Sequence, residues 1–99
     1  DLYSQQKIIK VAEKMSLSAR QCKAARALLN WSQADLAAFS RVSSSTLANF
    51  EAEKRTPYER TLQDIEHTLK EAGIEIIDEP GRVGVVHDVT VKFSKKWGD

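Results

Sequence analysis

Three small polar residues, Ser44, Ser45 and Asn49, have the types and spacing of a surface that reads another molecule. Placed at 100° intervals around a helix, they share one side, while Leu47 and Phe50 fall on the opposite side. Small uncharged side chains let a helix backbone approach another surface closely. The major groove of DNA admits one α-helix, and an Asn amide can bond adenine N6 and N7 together. The pattern therefore predicts a helix whose polar side contacts bases.

The helices that would position this side are predicted from a repeated pattern in which Ser follows one apolar residue and precedes another by four positions. The capping residues are Ser18, Ser32 and Ser43. Each can accept an unpaired backbone N–H of the first turn while the apolar pair packs around it. Helices are therefore predicted to begin near residues 19, 33 and 44. The first should end at Asn30 in the left-handed conformation, with an inner face of Cys22, Ala25, Leu28 and Leu29.

The second predicted helix covers residues 33–39, and only Ser40, Arg41 and Val42 separate it from the next Ser cap. Two short helices joined by so tight a turn form a helix-turn-helix in outline. A fourth helix is predicted to begin at Thr56-Pro57, because Thr56 and Glu59 could form a capping box and Pro suits the first helical position. Gly73 should end it.

The segments flanking these helices have their own periodicity. Apolar residues at helical spacing predict an amphipathic helix over residues 5–15. After Gly73 the period changes to two, which predicts a short strand from Ile74, a turn at Pro80-Gly81 and a long strand from Val83 to Phe93. The chain is thus divided into an N-terminal helix or arm (1–16), a helix-turn-helix domain (17–73) and a C-terminal β extension (74–99).

Composition limits the function classes that remain. The chain has 99 residues, of which 41 % are hydrophobic and 29 % charged, as in one ordinary soluble domain. No segment approaches the roughly 20 apolar residues that span a bilayer.

One cysteine, Cys22, forms no internal disulfide, which fits a cytoplasmic location, and we expect it to be a buried, inert thiol. His67 and His87 have no ligand cluster around them, so we expect no metal and no cofactor. Because the sequence has no Gly-rich phosphate loop and no acid–base pair, we expect no enzyme activity.

Charge is distributed unevenly along the chain. Residues 18–57 carry six Lys or Arg against three Asp or Glu, whereas residues 58–79 carry two against seven. A basic segment of this kind is a weak indication of a surface that faces a polyanion.

The run from Trp31 to Glu51, continued by Arg55-Thr-Pro57 and by Thr61-Leu62-x-x-Ile65, resembles the phage repressor and Cro-like helix-turn-helix family, also called the XRE family. The resemblance covers about residues 18–73. It implies a mainly α fold, a compact four- to five-helix repressor-like DNA-binding domain, here with a C-terminal β-strand pair and an extra N-terminal helix. It also implies a transcriptional regulator, as a repressor or autoregulator, acting on a double-stranded DNA operator.

The resemblance assigns roles to individual residues. Ser44, Ser45 and Asn49 should face bases. The residues expected at backbone phosphates are Gln33, Arg41, Ser43, Lys54, Arg55 and Thr56. Arg26 and Glu51 match a pair that bridges the first and third helices in some relatives, so their expected role is structural.

Two positions depart from the family pattern. Arg41 lies in the turn where the family often has Gly, and a non-Gly residue with positive φ costs on the order of 1 kcal/mol. Either the turn differs slightly, or Arg41 is tolerated because its guanidinium gains a phosphate. Glu53 stands where Gly often ends the recognition helix, and its carboxylate would repel DNA unless Lys54 or Arg55 offsets it.

Few base contacts from one copy predict weak binding, so we expect a homodimer that places two recognition helices about 34 Å apart. The long strand from Val83 to Phe93 is the first candidate for the subunit interface, because an apolar edge strand invites pairing. The N-terminal helix is the second candidate. The alternative function is an antitoxin-like or adaptor module that binds a protein partner through the C-terminal strands or the N-terminal helix, with secondary DNA binding.

Overall fold

Four helices and a strand pair make up the computed structural model, which describes residues 17–93. The predicted helix over residues 5–15 lies outside the described residues. The elements are α1 (Ala19–Leu29), α2 (Gln33–Ser40), α3 (Ser44–Glu51), α4 (Glu59–Glu71), β1 (Ile74–Glu79) and β2 (Arg82–His87). The mainly helical architecture with a C-terminal strand pair is as the sequence predicts.

Serine caps begin the first three helices, as predicted. Ser18 Oγ accepts the Gln21 N–H at 3.1 Å, and Gln21 Oε1 accepts the Ser18 N–H at 3.0 Å, which completes a capping box. Ser32 and Asp35 form the same reciprocal pair at 2.9 and 3.0 Å. Ser43 Oγ accepts the Thr46 N–H at 3.1 Å and so starts α3.

The core lies between the four helices and the inner side of the strand pair. Its fully buried members include Cys22, Leu36, Leu47, Ile65 and Leu69. One predicted core residue is wrong: Leu28 is 49 % exposed. It lies about 240° around α1 from Cys22, so apolar spacing alone placed it on the inner face although it falls on the outer one.

Helix α4 begins later than predicted. It starts at Glu59, its N-cap is Tyr58, and no side chain caps it. The predicted capping box of Thr56 and Glu59 is therefore wrong. Pro57 disfavours helical conformation at the residue before it, and this keeps Thr56 outside the helix.

The predicted long strand is also wrong in its extent. β2 pairs antiparallel with β1, with Ile76 opposite Val85, and it ends at His87. Asp88 Oδ1 accepts the Thr90 N–H at 3.0 Å, and this local bond turns the chain away from the sheet.

The segment after this turn returns to the helices. The ring of Phe93 lies 4.9 Å from that of Trp31 and 5.0 Å from that of Phe39, measured between centroids. Trp31 and Phe39 are themselves 4.9 Å apart. The three rings connect the C-terminal segment to both ends of α2.

Candidate nucleic-acid interface

The polar side of α3 faces solvent. Ser44 and Ser45 are exposed and Asn49 is half-buried, whereas Leu47 and Phe50 are buried beneath the helix. The apolar side fixes the rotation of α3 on the core because turning the helix would expose both large side chains. The three residues expected to face bases therefore share one accessible surface.

Hydroxyl groups at the start of α3 bind one another. Ser43 Oγ donates to Thr46 Oγ1 at 2.7 Å and lies 3.4 Å from Ser45 Oγ. The first backbone N–H groups of α3 point outward beside these hydroxyls, and the N-terminal end of a helix favours negative charge. This end of the helix is suited to a phosphate.

A cleft of about 500 Å³ runs alongside α3, between the helix and the segment that leads into α4. It brings Ser45 and Asn49 together with Arg55 and Thr56. Its remaining lining residues are Thr46, Pro57, Tyr58 and Thr61. The cleft thus joins two predicted base-contacting residues to two predicted phosphate-contacting residues.

Tyr58 was missed by the sequence analysis. Its side chain is 88 % exposed, although it is large and aromatic, and it borders the cleft. The predicted start of α4 at Pro57 placed Tyr58 within the first helical turn, where an exposed aromatic side chain carries no special meaning. The sequence signal for Tyr58 is Pro57, which keeps Thr56 out of the helix and so argues against a helix start at this point.

Lys54 faces a different cleft from Asn49. That cleft, of about 450 Å³, lies between the start of α1 and the segment after α3, and Ser18 and Glu53 also line it. Arg55 and Thr56 border both clefts. Arg55 therefore lies between the two clefts, whereas Lys54 borders only the second.

Both positions that depart from the family pattern keep the backbone conformation usual for Gly. Arg41 has φ of 61° and Glu53 has φ of 60°, and both side chains are exposed. Of the two alternatives for Arg41, the one in which the turn differs is therefore wrong, and contact of its guanidinium with a phosphate stays a prediction. At Glu53 the left-handed turn ends α3, and the Lys54 N–H then donates to the Asn49 carbonyl at 2.9 Å.

A buried polar network lies beneath the surface formed by α3. Arg26 binds Glu51 through both carboxylate oxygens, at 2.6 and 2.7 Å. Gln33 Nε2 donates to Glu51 Oε1 at 2.9 Å, and the Cys22 thiol donates to Oε2 at 3.1 Å. The network joins α1, α2 and α3 at one carboxylate.

The network also sets the ionisation of its members. Burial acts to raise the pKa of Glu51, but hydrogen bonds from Arg26, Gln33 and Cys22 outweigh it and hold that pKa below its ordinary value. Burial, together with the neighbouring Glu51 carboxylate, raises the pKa of the Cys22 thiol far above its ordinary value. The thiol is therefore protonated and unreactive.

Gln33 has a structural partner that the sequence analysis did not assign to it. Its amide nitrogen carries two hydrogens, and the bond to Glu51 uses one of them. The side chain is half-buried at the start of α2. A phosphate contact by Gln33 stays a prediction.

The part of the chain that the structure describes has no helix long and apolar enough to cross a membrane. Within residues 17–93, no group of three His, Cys, Asp or Glu side chains is placed to hold a metal ion.

Comparison with known proteins gives the family. No curated protein matches the chain significantly. The family HTH_3, described as helix-turn-helix, matches residues 23–75, which include α2, α3 and α4. This match covers more than half of the 99 residues. The chain therefore belongs to the XRE-type helix-turn-helix family HTH_3 and is, in general terms, a DNA-binding transcription regulator.

Proposed function

We propose that this protein is a sequence-specific regulator of transcription, a repressor or autoregulator, that inserts α3 into the major groove of double-stranded DNA as a homodimer. The observation that carries the proposal is the accessible, uncharged side of α3, on which Ser44 and Ser45 are exposed and Asn49 is half-buried. An accessible helix side without Lys or Glu lets the backbone come close to the base edges.

Base readout is assigned to Ser44, Ser45 and Asn49. Asn49 alone can make a paired amide contact with adenine, worth about 1–3 kcal/mol of discrimination. The two Ser hydroxyls each accept or donate and so discriminate less sharply. Readout by so few side chains is sparse, and DNA shape and bridging waters supply the remaining specificity.

Phosphate contacts hold α3 in register on the duplex. The residues assigned to them are Gln33, Arg41, Ser43, Lys54, Arg55 and Thr56. Their placement supports this division because they surround α3: Arg41 and Ser43 lie before it, and Lys54, Arg55 and Thr56 follow it. The neighbouring cations Lys54 and Arg55 also offset the exposed carboxylate of Glu53.

Selection of bound fragments from random duplex DNA, followed by titration at several salt concentrations, tests the proposal. We expect a near-palindromic site, because two copies related by a two-fold axis read related half-sites. We also expect log Kd to vary with log salt concentration with a slope of several units, since each neutralised phosphate contributes about 0.9. A flat salt response without an enriched sequence would reject the proposal.

Repression is tested separately by transcription from a promoter that overlaps the selected site. We expect the transcript to fall as protein is added and to recover when the selected duplex is supplied as a competitor. A transcript that rises with added protein would identify an activator and would contradict the assigned sign of regulation.

A further inference from the structure

The outer edge of β2 presents unpaired backbone groups. The Asp88 N–H donates to the Gly73 carbonyl at 2.8 Å, so this pair continues the strand ladder and is hydrogen-bonded. Hydrogen-bonded and non-hydrogen-bonded pairs alternate in an antiparallel ladder. The N–H and C=O groups of Val83, Val85 and His87 therefore point away from β1. Within residues 17–93, no hydrogen bond from another segment reaches them.

Three features that commonly prevent strand pairing are absent from this edge. β2 contains neither Pro nor Lys, and its register with β1 has no bulge. Val83 is 58 % exposed and Val86 is 47 % exposed. An apolar, regular and open edge is a template for another strand.

We propose that β2 pairs antiparallel with β2 of a second copy of this chain, with Val85 opposite Val85 of the partner subunit, to form a four-stranded sheet. This inference rests on the proposed function in one respect. Pairing through β2 supplies the two-fold symmetry that a palindromic operator requires. In this register the outward backbone groups of Val83 face those of His87 of the partner subunit. Three residue pairs, each making two hydrogen bonds, then span the two-fold axis.

The outer side of the sheet is self-complementary in charge in this register. Arg82 lies opposite Asp88 of the partner subunit, so the symmetric interface contains this pair twice. Both residues are exposed, and Arg82 binds Glu79 at 3.3 Å through only one of its guanidinium nitrogens. Asp88 accepts the N–H and the hydroxyl of Thr90 through Oδ1, so Oδ2 is the oxygen that would face Arg82 of the partner subunit. Opposite charges directly across an antiparallel pair stabilise it.

Shape is complementary as well. Val86 lies opposite Gly84 of the partner subunit, and a Cβ placed on Gly84 meets no atom within 4 Å. The isopropyl group of Val86 thus faces a position that has space for it. Shifting the register by two residues in either direction places Gly84 opposite itself or Val86 opposite itself, and it separates Arg82 from Asp88 of the partner subunit.

Helix α1 extends the apolar surface beside this edge. Gln21 donates to the Ile77 and Gly84 carbonyls at 2.9 and 3.3 Å, so the stripe of α1 that carries Gln21 borders the sheet. Ala24 and Leu28 follow Gln21 at i+3 and i+7 on that stripe, and both are exposed.

Disulfide crosslinking distinguishes this register from the two that differ from it by two residues. Gly84→Cys and Val86→Cys place thiols on the exposed side of β2, while Cys22 is fully buried and does not react. Opposite residues of a non-hydrogen-bonded pair have Cα atoms about 4.5 Å apart, which a disulfide can span. We expect a mixture of the two variants to give the mixed disulfide dimer on mild oxidation, identified by its mass, and neither variant alone to crosslink.

The other crosslinking outcomes overturn the proposal. A dimer of Gly84→Cys alone or of Val86→Cys alone would identify a shifted register. Absence of any crosslink, with a monomer in sedimentation at the same concentration, would exclude the interface. Gln63→Cys on the exposed side of α4, mixed with Val86→Cys, is the matched control and should stay uncrosslinked.

A charge variant tests the same interface without cysteine. Arg82→Glu places like charges opposite each other twice, so we expect the dimer Kd to rise about tenfold in sedimentation equilibrium. Arg60→Glu on α4 makes the same charge change at an exposed position away from β2 and should leave the Kd unchanged. Equal effects of the two substitutions would contradict the pairing.

Failure of this inference and failure of the proposed function give different results. If the selected site is palindromic and Arg82→Glu leaves the dimer Kd unchanged, the β2 interface is rejected and the DNA-binding proposal stands. If the mixed disulfide forms but no DNA sequence is enriched, the DNA-binding proposal is rejected and the β2 interface stands.

Discussion

Arg26 and Glu51 are joined in a bidentate ion pair, with Nη2–Oε1 at 2.6 Å and Nε–Oε2 at 2.7 Å. The Glu51 side chain is 2 % exposed and the Arg26 side chain 18 % exposed. The pair connects α1 to the last residue of α3, two positions after Asn49. The helix that we assign to the major groove is therefore fixed to the core at its C-terminal end by charge as well as by Leu47 and Phe50.

Removing Arg26 should destabilise the fold strongly. Arg26→Leu leaves the buried carboxylate of Glu51 without its cation, a change that costs about 3–5 kcal/mol. Urea denaturation followed by circular dichroism measures the loss. The double variant Arg26→Leu with Glu51→Leu removes both charges and should recover most of the stability. If the single variant loses under 1 kcal/mol, the pair does not fix α3 as argued.

Acid should weaken the fold through Glu51. Its pKa in the folded protein is below the ordinary value of 4.5, so its contribution to stability is complete above that pH. The contribution is lost as pH falls from there through the folded pKa, because the unfolded chain then binds more protons than the folded one. Urea midpoints measured from pH 7 to pH 2 test this. In Glu51→Gln we expect lower stability at pH 7 and a shallower decline in acid; parallel curves would contradict the assignment.

Local signals were enough to predict the helices that carry the site. Ser18, Ser32 and Ser43 cap their own first turns, so three residues of sequence context determine where each helix begins. The exposed side of α3 was predictable for the same reason, since Leu47 and Phe50 require the core. Asn30 ends α1 in the left-handed conformation, as its type indicates.

Features that depend on distant contacts were not predictable. Apolar alternation continues to Phe93, but the Asp88 turn and the rings of Trp31 and Phe39 compete with the strand and prevail. Gln33 has a bond to Glu51 that spans 18 residues, which no local pattern encodes. Leu28 has the type and spacing of a core residue, yet it lies on the outer side of α1 and is 49 % exposed.

The left-handed turns at Arg41 and Glu53 offer a way to separate stability from DNA binding. Arg41→Gly and Glu53→Gly each remove the strain of a side chain at positive φ, and we expect each to stabilise the fold by up to about 1 kcal/mol. The greater conformational entropy of Gly in the unfolded chain reduces this gain. Thermal denaturation measures this. Arg41→Gly should also weaken DNA binding because it removes a proposed phosphate contact, whereas Glu53→Gly should strengthen it by removing a carboxylate. Unchanged affinity in Arg41→Gly would exclude Arg41 from the interface.

A side chain should destabilise the fold more at Gly73 than at Gly81, which provides the control. Both have positive φ, of 99° and 80° respectively. A Cβ on Gly73 would lie 2.7 Å from the Asp88 carbonyl oxygen and 3.0 Å from Val91 Cβ, whereas one on Gly81 meets nothing within 4 Å. We expect Gly81→Ala to cost about 1 kcal/mol through backbone strain alone and Gly73→Ala to cost at least about 1 kcal/mol more. Equal losses in urea denaturation would show that the Asp88 segment shifts readily.

Asn49 and Arg55 line the same cleft but should affect DNA binding differently. Asn49→Ala removes the paired amide contact and should relax base preference at one step in each half-site, at a cost of about 1–3 kcal/mol on the preferred site. Arg55→Ala should weaken binding to all sequences about equally and lower the salt slope of the dimer by about 2, because each copy loses one phosphate contact. Both affinities are measured on the selected site and on single-base variants at several salt concentrations.

Lys70→Ala, which changes an exposed cation at the end of α4, is the control and should alter neither the base preference nor the salt slope. If Asn49→Ala keeps the wild-type preference at every base step, another surface of the protein reads the DNA.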